Sequence, residues 1–222
     1  GTMHALADLR PAINVVGIVP STENLSGSKA YKPGLDNIRS FVDHLNINIQ
    51  DIKLIHIGVT NGKGSTCAYL SSIIQESGYK VGTFTSPHFF DYRERIKVNN
   101  NKIEKGFISK FIVTNRDIIE KLELTFFELS FGMSLSYYIE KNVDYAIIEV
   151  GLGGRLDATN IVDSDISIIT SIGIDHTEFL GNTIDSIALE KAGVMRPFKT
   201  CIYAQEKPPA ALLKYAKNKS VN

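Results

Sequence analysis

Seven residues near the first quarter of the chain, Thr60-Asn61-Gly62-Lys63-Gly64-Ser65-Thr66, combine the side chains that an anion site needs. Glycines let the backbone approach a phosphate closely, a helix N-terminus offers unpaired N–H groups, and Lys63 adds a full positive charge. Ser65, two residues on, is placed to face a magnesium ion held by that phosphate. The spacing departs from the usual G-x-x-x-x-G-K-[ST] pattern, because Gly58 precedes Gly62 by only four positions and Gly64 separates Lys63 from the hydroxyls. A solvated lysine in a tight turn is therefore the competing reading. What decides between them is whether other chemistry gathers at the same place.

Three further groups fall where it should. Glu149 ends the apolar run from Asp144 to Val150 and is followed by the glycine cluster Gly151-Leu152-Gly153-Gly154. Asp175-His176 follows the apolar run Ile166–Ile172, and Lys191 lies near the end of a helical stretch. Magnesium prefers oxygen, so Ser65 and Glu149 are comfortable ligands. By residue type alone His176 reads as a capping or supporting histidine and Lys191 as a solvated helix lysine, while Glu149 has the alternative of capping the glycine turn.

The elements that must position these groups can be read from periodicity. Leu35, Ile38, Phe41, Val42 and Leu45 recur at helical steps. Leu54–Val59 predicts a strand, Cys67 to Ser77 a helix stopped by Gly78, and Tyr79–Thr85 a second strand, which together make a parallel βαβ unit. A charged and aromatic loop follows, Ser86-Pro87-His88 through Ile96. Helices are predicted over Lys102–Ile119, Thr125 to about Lys141, Thr183–Met195 and Pro208–Lys219, with strands at Asp144–Gly151, Ile166–Ile172 and Thr200–Ala204. In an open parallel sheet, ligands bind beyond the carboxyl ends of strands, where Lys63, Glu149 and His176 all fall. The reading is a three-layer α/β P-loop domain with a mostly parallel sheet over residues 35–222. Residues 1–34 form a loop-rich segment containing one expected strand, Asn14–Val19, and Gly1-Thr2 before Met3 reads as a remnant of cloning.

Composition narrows the class. The 222 residues are 43% apolar and 22% charged, an ordinary globular balance, and 24 basic against 24 acidic residues leave no net field to recruit nucleic acid or an anionic membrane. Two cysteines, Cys67 and Cys201, make neither a disulfide framework nor a metal knuckle, so a cytoplasmic location is expected, with no membrane span.

Taken together, the blocks resemble one family. Gly58–Thr66, Thr85–His88 with Arg93–Ile96, Phe127-Glu128, Glu149 to Asn160, Asp175-His176-Thr177 and Glu190-Lys191-Ala192-Gly193 are similar, in that order, to folylpolyglutamate synthase / dihydrofolate synthase of the Mur ligase superfamily. The resemblance implies an ATP- and Mg2+-dependent ligase that joins L-glutamate to dihydropteroate or folates through an acyl phosphate. It implies that Thr60, Asn61, Gly62, Lys63, Gly64, Ser65 and Thr66 hold the ATP phosphates, and that Ser65, Glu149, His176 and a carbamylated Lys191 serve the metal. It also places the pterin end near Phe127, Asp157 and Ala158, with Ser86, Pro87 and His88 closing over the site, in a monomer whose partners are small molecules. The family's second domain is expected beyond Asn222. The rivals are a ligase acting on a UDP-linked peptidoglycan precursor and a nucleotide-binding domain without turnover.

Overall fold

A computed structural model of the chain describes residues 34–58, 60 and 62–222, so the strand expected at Asn14–Val19 and the loop residue Asn61 lie outside the described residues. Seven strands form one sheet in the order β4-β3-β2-β5-β1-β6-β7. Its middle is β1 (Lys53–Gly58), flanked in parallel by β5 (Tyr145–Glu149) and β6 (Ile166–Ile169), with β2 (Val81–Phe84) and β7 (Thr200–Tyr203) parallel outside them. The predicted strands that fall on described residues are all present. The one deviation lies at the β2 edge, where β3 (Ile96–Val98) and β4 (Asn101–Lys102) form an antiparallel hairpin. Sequence periodicity assigns Lys102 to a helix. It instead pairs with Lys97, because Asn99 and Asn100 take left-handed backbone conformations that fold the chain back.

Side-chain alternation sends the two faces of the sheet to different layers. Ile55, Ile57 and Ile147 pack with Cys67, Leu70 and Ile74 of α2 (Lys63–Glu76). Leu54, Phe84, Ala146 and Ile148 face the larger cluster built by α1 (Asp36–Leu45), α3 (Lys105–Thr114) and α5 (Phe126–Glu140). The expected helix Lys102–Ile119 is broken at Asn115, whose Nδ2 donates to Phe111 O at 2.8 Å, and resumes as α4 (Arg116–Lys121). A short α6 (Thr177–Leu180), not foreseen, precedes α7 (Ile184–Ala192), and α8 (Ala210–Asn218) covers the β6–β7 side. Among the described residues no helix is long and apolar enough to cross a membrane.

α5 is buried over most of its surface, and its N-terminus is set by a reciprocal cap in which Thr125 Oγ1 accepts from Glu128 N while Glu128 Oε2 accepts from Thr125 N. This helix lies so close to β2 that a Cβ on Gly82 would come within 2.7 Å of the Tyr138 ring, which is fully buried. Gly82→Ala is therefore expected to destabilise the fold by about 1–3 kcal/mol, because the ring has no room to yield. Urea denaturation should show a lower midpoint at unchanged slope, and an unchanged midpoint would show the contact to be soft.

Candidate functional site

Register brings the carboxyl ends of the three central strands level. Ile57 of β1 is opposite Glu149 of β5, and Gly58 is opposite Ile169 of β6. From β1 the chain turns through Gly62, in a left-handed conformation with φ 91°, into the N-terminus of α2 at Lys63. The loop is braced from behind. Thr60 N donates to Ser171 O at 3.2 Å, and Gly173 N donates to Thr60 Oγ1 at 3.1 Å. Thr66 Oγ1 donates to Gly62 O at 2.8 Å, so both threonine hydroxyls shape the loop, while Ser65 and Gly64 are exposed in front of it.

Glu149 is 2% exposed and its Oε2 accepts from Ser86 N at 3.2 Å. Burial pushes its carboxyl up to about 7, against the pull of Ser86 N–H and of the positive charges on Lys63 and Arg95. The alternative that Glu149 caps the glycine turn is not what the structure shows. Asp157 does that work, its Oδ2 accepting from Leu152 N at 2.8 Å and its Oδ1 from Thr159 N at 3.0 Å.

Lys191 corrects the reading from residue type, which makes it solvated: it is 3% exposed. The glycine cluster is the cause. A Cβ on Gly154 would meet Glu190 O at 2.8 Å, and one on Gly193 would run into Arg155 Cα, so the turn and the end of α7 touch backbone to backbone. Arg155 N donates to Glu190 O at 2.8 Å, and Asn160 Nδ2 donates to Gly193 O at 3.0 Å. Burial, with the charge of Lys63, lowers the Lys191 ammonium to about 8, while Asp175 opposes the shift. Lys63 is thus within electrostatic reach of both Glu149 and Lys191. His176, in a left-handed conformation before α6, keeps an exposed side chain with Nε2 3.5 Å from Asp175 Oδ2.

Beside this cluster is a cavity of about 720 Å³ whose wall includes Lys63, Arg95, Phe127, Asp157, Ala158 and His176. Ser86 and Pro87, joined by a cis peptide, line it and also a second cavity of about 390 Å³ behind them that reaches Glu149. His88 is not part of the larger cavity's wall, and its Nδ1 accepts from Arg95 Nε at 2.9 Å.

Arg95 is the residue that sequence reasoning passed over. In the same loop Arg93 Nη2 is 2.7 Å from Asp91 Oδ2, and Glu94 accepts from Phe89 N and Asp91 N, so these charges are spent locally. Arg95 instead lies over the Phe126 ring at 5.3 Å and forms part of the cavity wall. The available signal was the Asp91–Glu94 spacing, which predicts a local cap and leaves Arg95 over.

Among the described residues no three His, Cys, Asp or Glu side chains gather as a metal cage. The donors at this site suit a hard cation that takes most of its oxygens from phosphate and water and only one or two from protein.

The opposed shifts fix a pH dependence. Glu149 titrates in the fold above its ordinary 4.5, so its contribution is full below that value and is lost as pH rises through about 7. Lys191 titrates below its ordinary 10.5, so its contribution is present above that value and is lost as pH falls through about 8. Stability in EDTA should therefore pass through a shallow minimum between these two titrations. Glu149→Gln should be more stable than the parent by about 1–3 kcal/mol at pH 8 and equal to it at pH 4. Equal stabilities at both pH values in chemical denaturation would show that Glu149 is not held as described.

The sequence profile of the Mur ligase middle domain matches residues 58–222. The dihydrofolate synthase/folylpolyglutamate synthase of Buchnera aphidicola (from Schizaphis graminum) is 43% identical over 191 residues, covering 86% of this chain and 43% of that protein. The E. coli FolC structure in complex with DHPP and ADP is 36% identical with a TM-score of 0.83, covering 94% of this chain and 50% of that one. A bifunctional folylpolyglutamate synthase/dihydrofolate synthase with Mn, AMPPNP and L-glutamate bound gives a TM-score of 0.80 at 35% identity, over 86% of this chain and 47% of that one. This chain thus spans about half the length of the relatives it matches. A phosphate-type loop, a glycine turn and a buried lysine, in a sheet of this order and with a profile match over most of the chain, show that it belongs to the Mur ligase family.

Proposed function

We propose that this chain is the ATP-binding part of an amide ligase of the folylpolyglutamate synthase / dihydrofolate synthase type. The observation that carries the reading is the convergence of Lys63, Glu149 and Asp175-His176 at level strand ends, with Lys191 of α7 within electrostatic reach, beside a cavity whose wall includes Phe127, Asp157 and Arg95. ATP phosphorylates the carboxylate of dihydropteroate or a folate, and the amine of L-glutamate displaces phosphate from the acyl phosphate. Magnesium, when bound, supplies charge neutralisation on the transferring phosphoryl group.

The chain's own residues divide the remaining work. Lys63 and the Thr60–Thr66 backbone hold the phosphates, Asn61 among them. Ser65, Glu149 and His176 offer or support metal ligands. Phe127 and Ala158 pack the aromatic end of the acid substrate, Asp157 accepts from its N–H edge, and Arg95, held by His88, faces its carboxylate, with Ser86 and Pro87 closing the near side. Lys191 is set up for carbamylation: its lowered pKa raises the share of neutral amine, which adds carbon dioxide and releases a proton, and the resulting carboxylate is attracted to Lys63. The finer setting is a monomer with small-molecule partners, in the cytoplasm, where free thiols such as Cys67 and Cys201 stay reduced.

A second reading, nucleotide binding without turnover by this chain alone, is favoured by its span of about half of the relatives. Glutamate-dependent ADP release with dihydropteroate separates the two. Lys63→Ala should weaken ATP–Mg2+ binding by tenfold or more while leaving thermal stability unchanged, since a partly exposed loop lysine contributes little to the fold. Affinity within threefold of the parent would remove Lys63 from the phosphate site. In the full ligase Lys191→Ala should lose most activity and recover part of it with added short carboxylic acids, whereas Lys191→Arg stays inactive. An active Lys191→Arg variant would end the carbamate assignment.

A further inference from the structure

His56 is a buried titratable group that none of these roles uses. It sits mid-way along β1 with no exposed surface, opposite Ile148 of β5 and Ser167 of β6. Alternation turns it to the same face of the sheet as Leu54. There its Nε2 is 2.9 Å from Thr159 Oγ1, in the 3-10 turn Ala158–Ile161 that follows the glycine cluster. Thr159 is fully buried too, and its hydroxyl donates a short hydrogen bond to Asp157 Oδ1.

Proton counting gives this chain a direction. A hydroxyl carries one hydrogen, and Asp157 receives it, so Thr159 Oγ1 can only accept from the ring. His56 is therefore the neutral tautomer with its hydrogen on Nε2. Its Nδ1 is then an acceptor, and that atom is buried with no hydrogen-bond partner. Burial and the nearby Arg196 charge lower the ring's pKa to about 3, so the donor direction does not invert near neutral pH. A leucine of similar size would fill this place without stranding a polar atom. What histidine adds is the hold on Thr159. The far side of the same turn is secured separately, by Arg196 Nη2 donating to Val162 O at 2.7 Å and to Asn160 Oδ1 at 2.8 Å.

We propose that His56 is a positioning residue whose Nε2–H fixes the Thr159 hydroxyl and, through it, the Asp157 carboxylate at the wall of the larger cavity, so that a histidine inside the sheet sets affinity for the ring system of the acid substrate. The second half of this statement rests on the reading of that cavity given under the proposed function; the first half stands on the hydrogen-bond geometry.

The test compares His56→Leu, His56→Gln and Thr159→Val in the otherwise intact protein. Glutamine can place an amide donor close to the position of Nε2, while the other two changes remove one partner of the bond. In His56→Leu, amide exchange at residues 152 and 159, both bonded to Asp157, should rise about fivefold, the loss of one neutral hydrogen bond of about 1 kcal/mol, and in Thr159→Val, which also removes the hydroxyl bond to Asp157, by at least as much. Dihydropteroate affinity by calorimetry should fall in parallel with exchange in each variant, ATP affinity should hold, and the double variant should show no loss beyond that of Thr159→Val. His56→Gln should stay near the parent in both readouts, and ring nitrogen shifts of the parent should show a neutral imidazole protonated on Nε2. Unchanged exchange in His56→Leu, a glutamine variant as impaired as the leucine one, exchange raised across all core amides alike, or an Nδ1–H tautomer would each overturn the proposal. If exchange changes as expected and dihydropteroate binds the parent but binds His56→Leu equally well, the link to affinity is overturned. If the parent itself does not bind dihydropteroate, the ligand reading of the cavity fails, and the exchange measurements alone decide the role of His56.

Discussion

Parallel pairing of β1 with both β5 and β6 is the constraint on which the rest of the site depends. Because Ile57 faces Glu149 and Gly58 faces Ile169, the chain leaves the sheet at nearly the same height three times. Each exit carries a different group: Lys63 after β1, the glycine turn after Glu149, and Asp175-His176 after β6. A one-residue slip of β5 would turn Glu149 from the α2 face to the opposite face and separate it from the lysine loop. Sheet register therefore places the charges before any side-chain contact does.

Those charges are held in opposition to burial. Glu149 and Lys191 are both nearly inaccessible, and each is pushed toward its neutral form, the acid upward and the amine downward. Lys63 acts on both, favouring the charged form of Glu149 and disfavouring that of Lys191. Negative charge placed beside the two lysines and positive charge beside the acid would return both buried groups toward their charged forms. Proximity of Lys191 to this site depends in turn on glycine. Gly154 and Gly193 let a turn and a helix end meet without side chains between them, and that contact closes over the lysine.

Along the larger cavity, the segment from Ser86 to Arg95 divides its charged residues between two tasks. Asp91, Arg93 and Glu94 satisfy one another and the loop's own N–H groups, which stiffens the segment. Arg95 remains to face the cavity, supported by His88 and the Phe126 ring. Asp157 has a comparable double position, since it caps the glycine turn and lines the cavity as well. A carboxylate that receives so many internal donors is fixed in orientation, and His56 extends that fixation into the sheet.

Much of this was legible in the amino-acid sequence. Strand-length apolar runs and helical periodicity locate every parallel strand and the principal helices, since these patterns reflect local alternation between core and solvent. The glycine-lysine-hydroxyl loop, Glu149 at a strand end and Asp175-His176 at another follow from the same reading, and the order of motif blocks indicates the Mur ligase family. The hairpin Ile96–Lys102 was not legible, because two asparagines in left-handed conformations, not periodicity, decide it. Nor were the burial of Lys191, the choice of Asp157 over Glu149 as turn cap, the exposure of Arg95 to the cavity, and the line from His56 to Asp157. Each of these joins residues that are distant along the chain or chooses among chemically similar neighbours. Local pattern determines which elements form and which face of each is apolar, whereas burial, pKa and hydrogen-bond partner are properties of the space between elements, which exists only once they have packed.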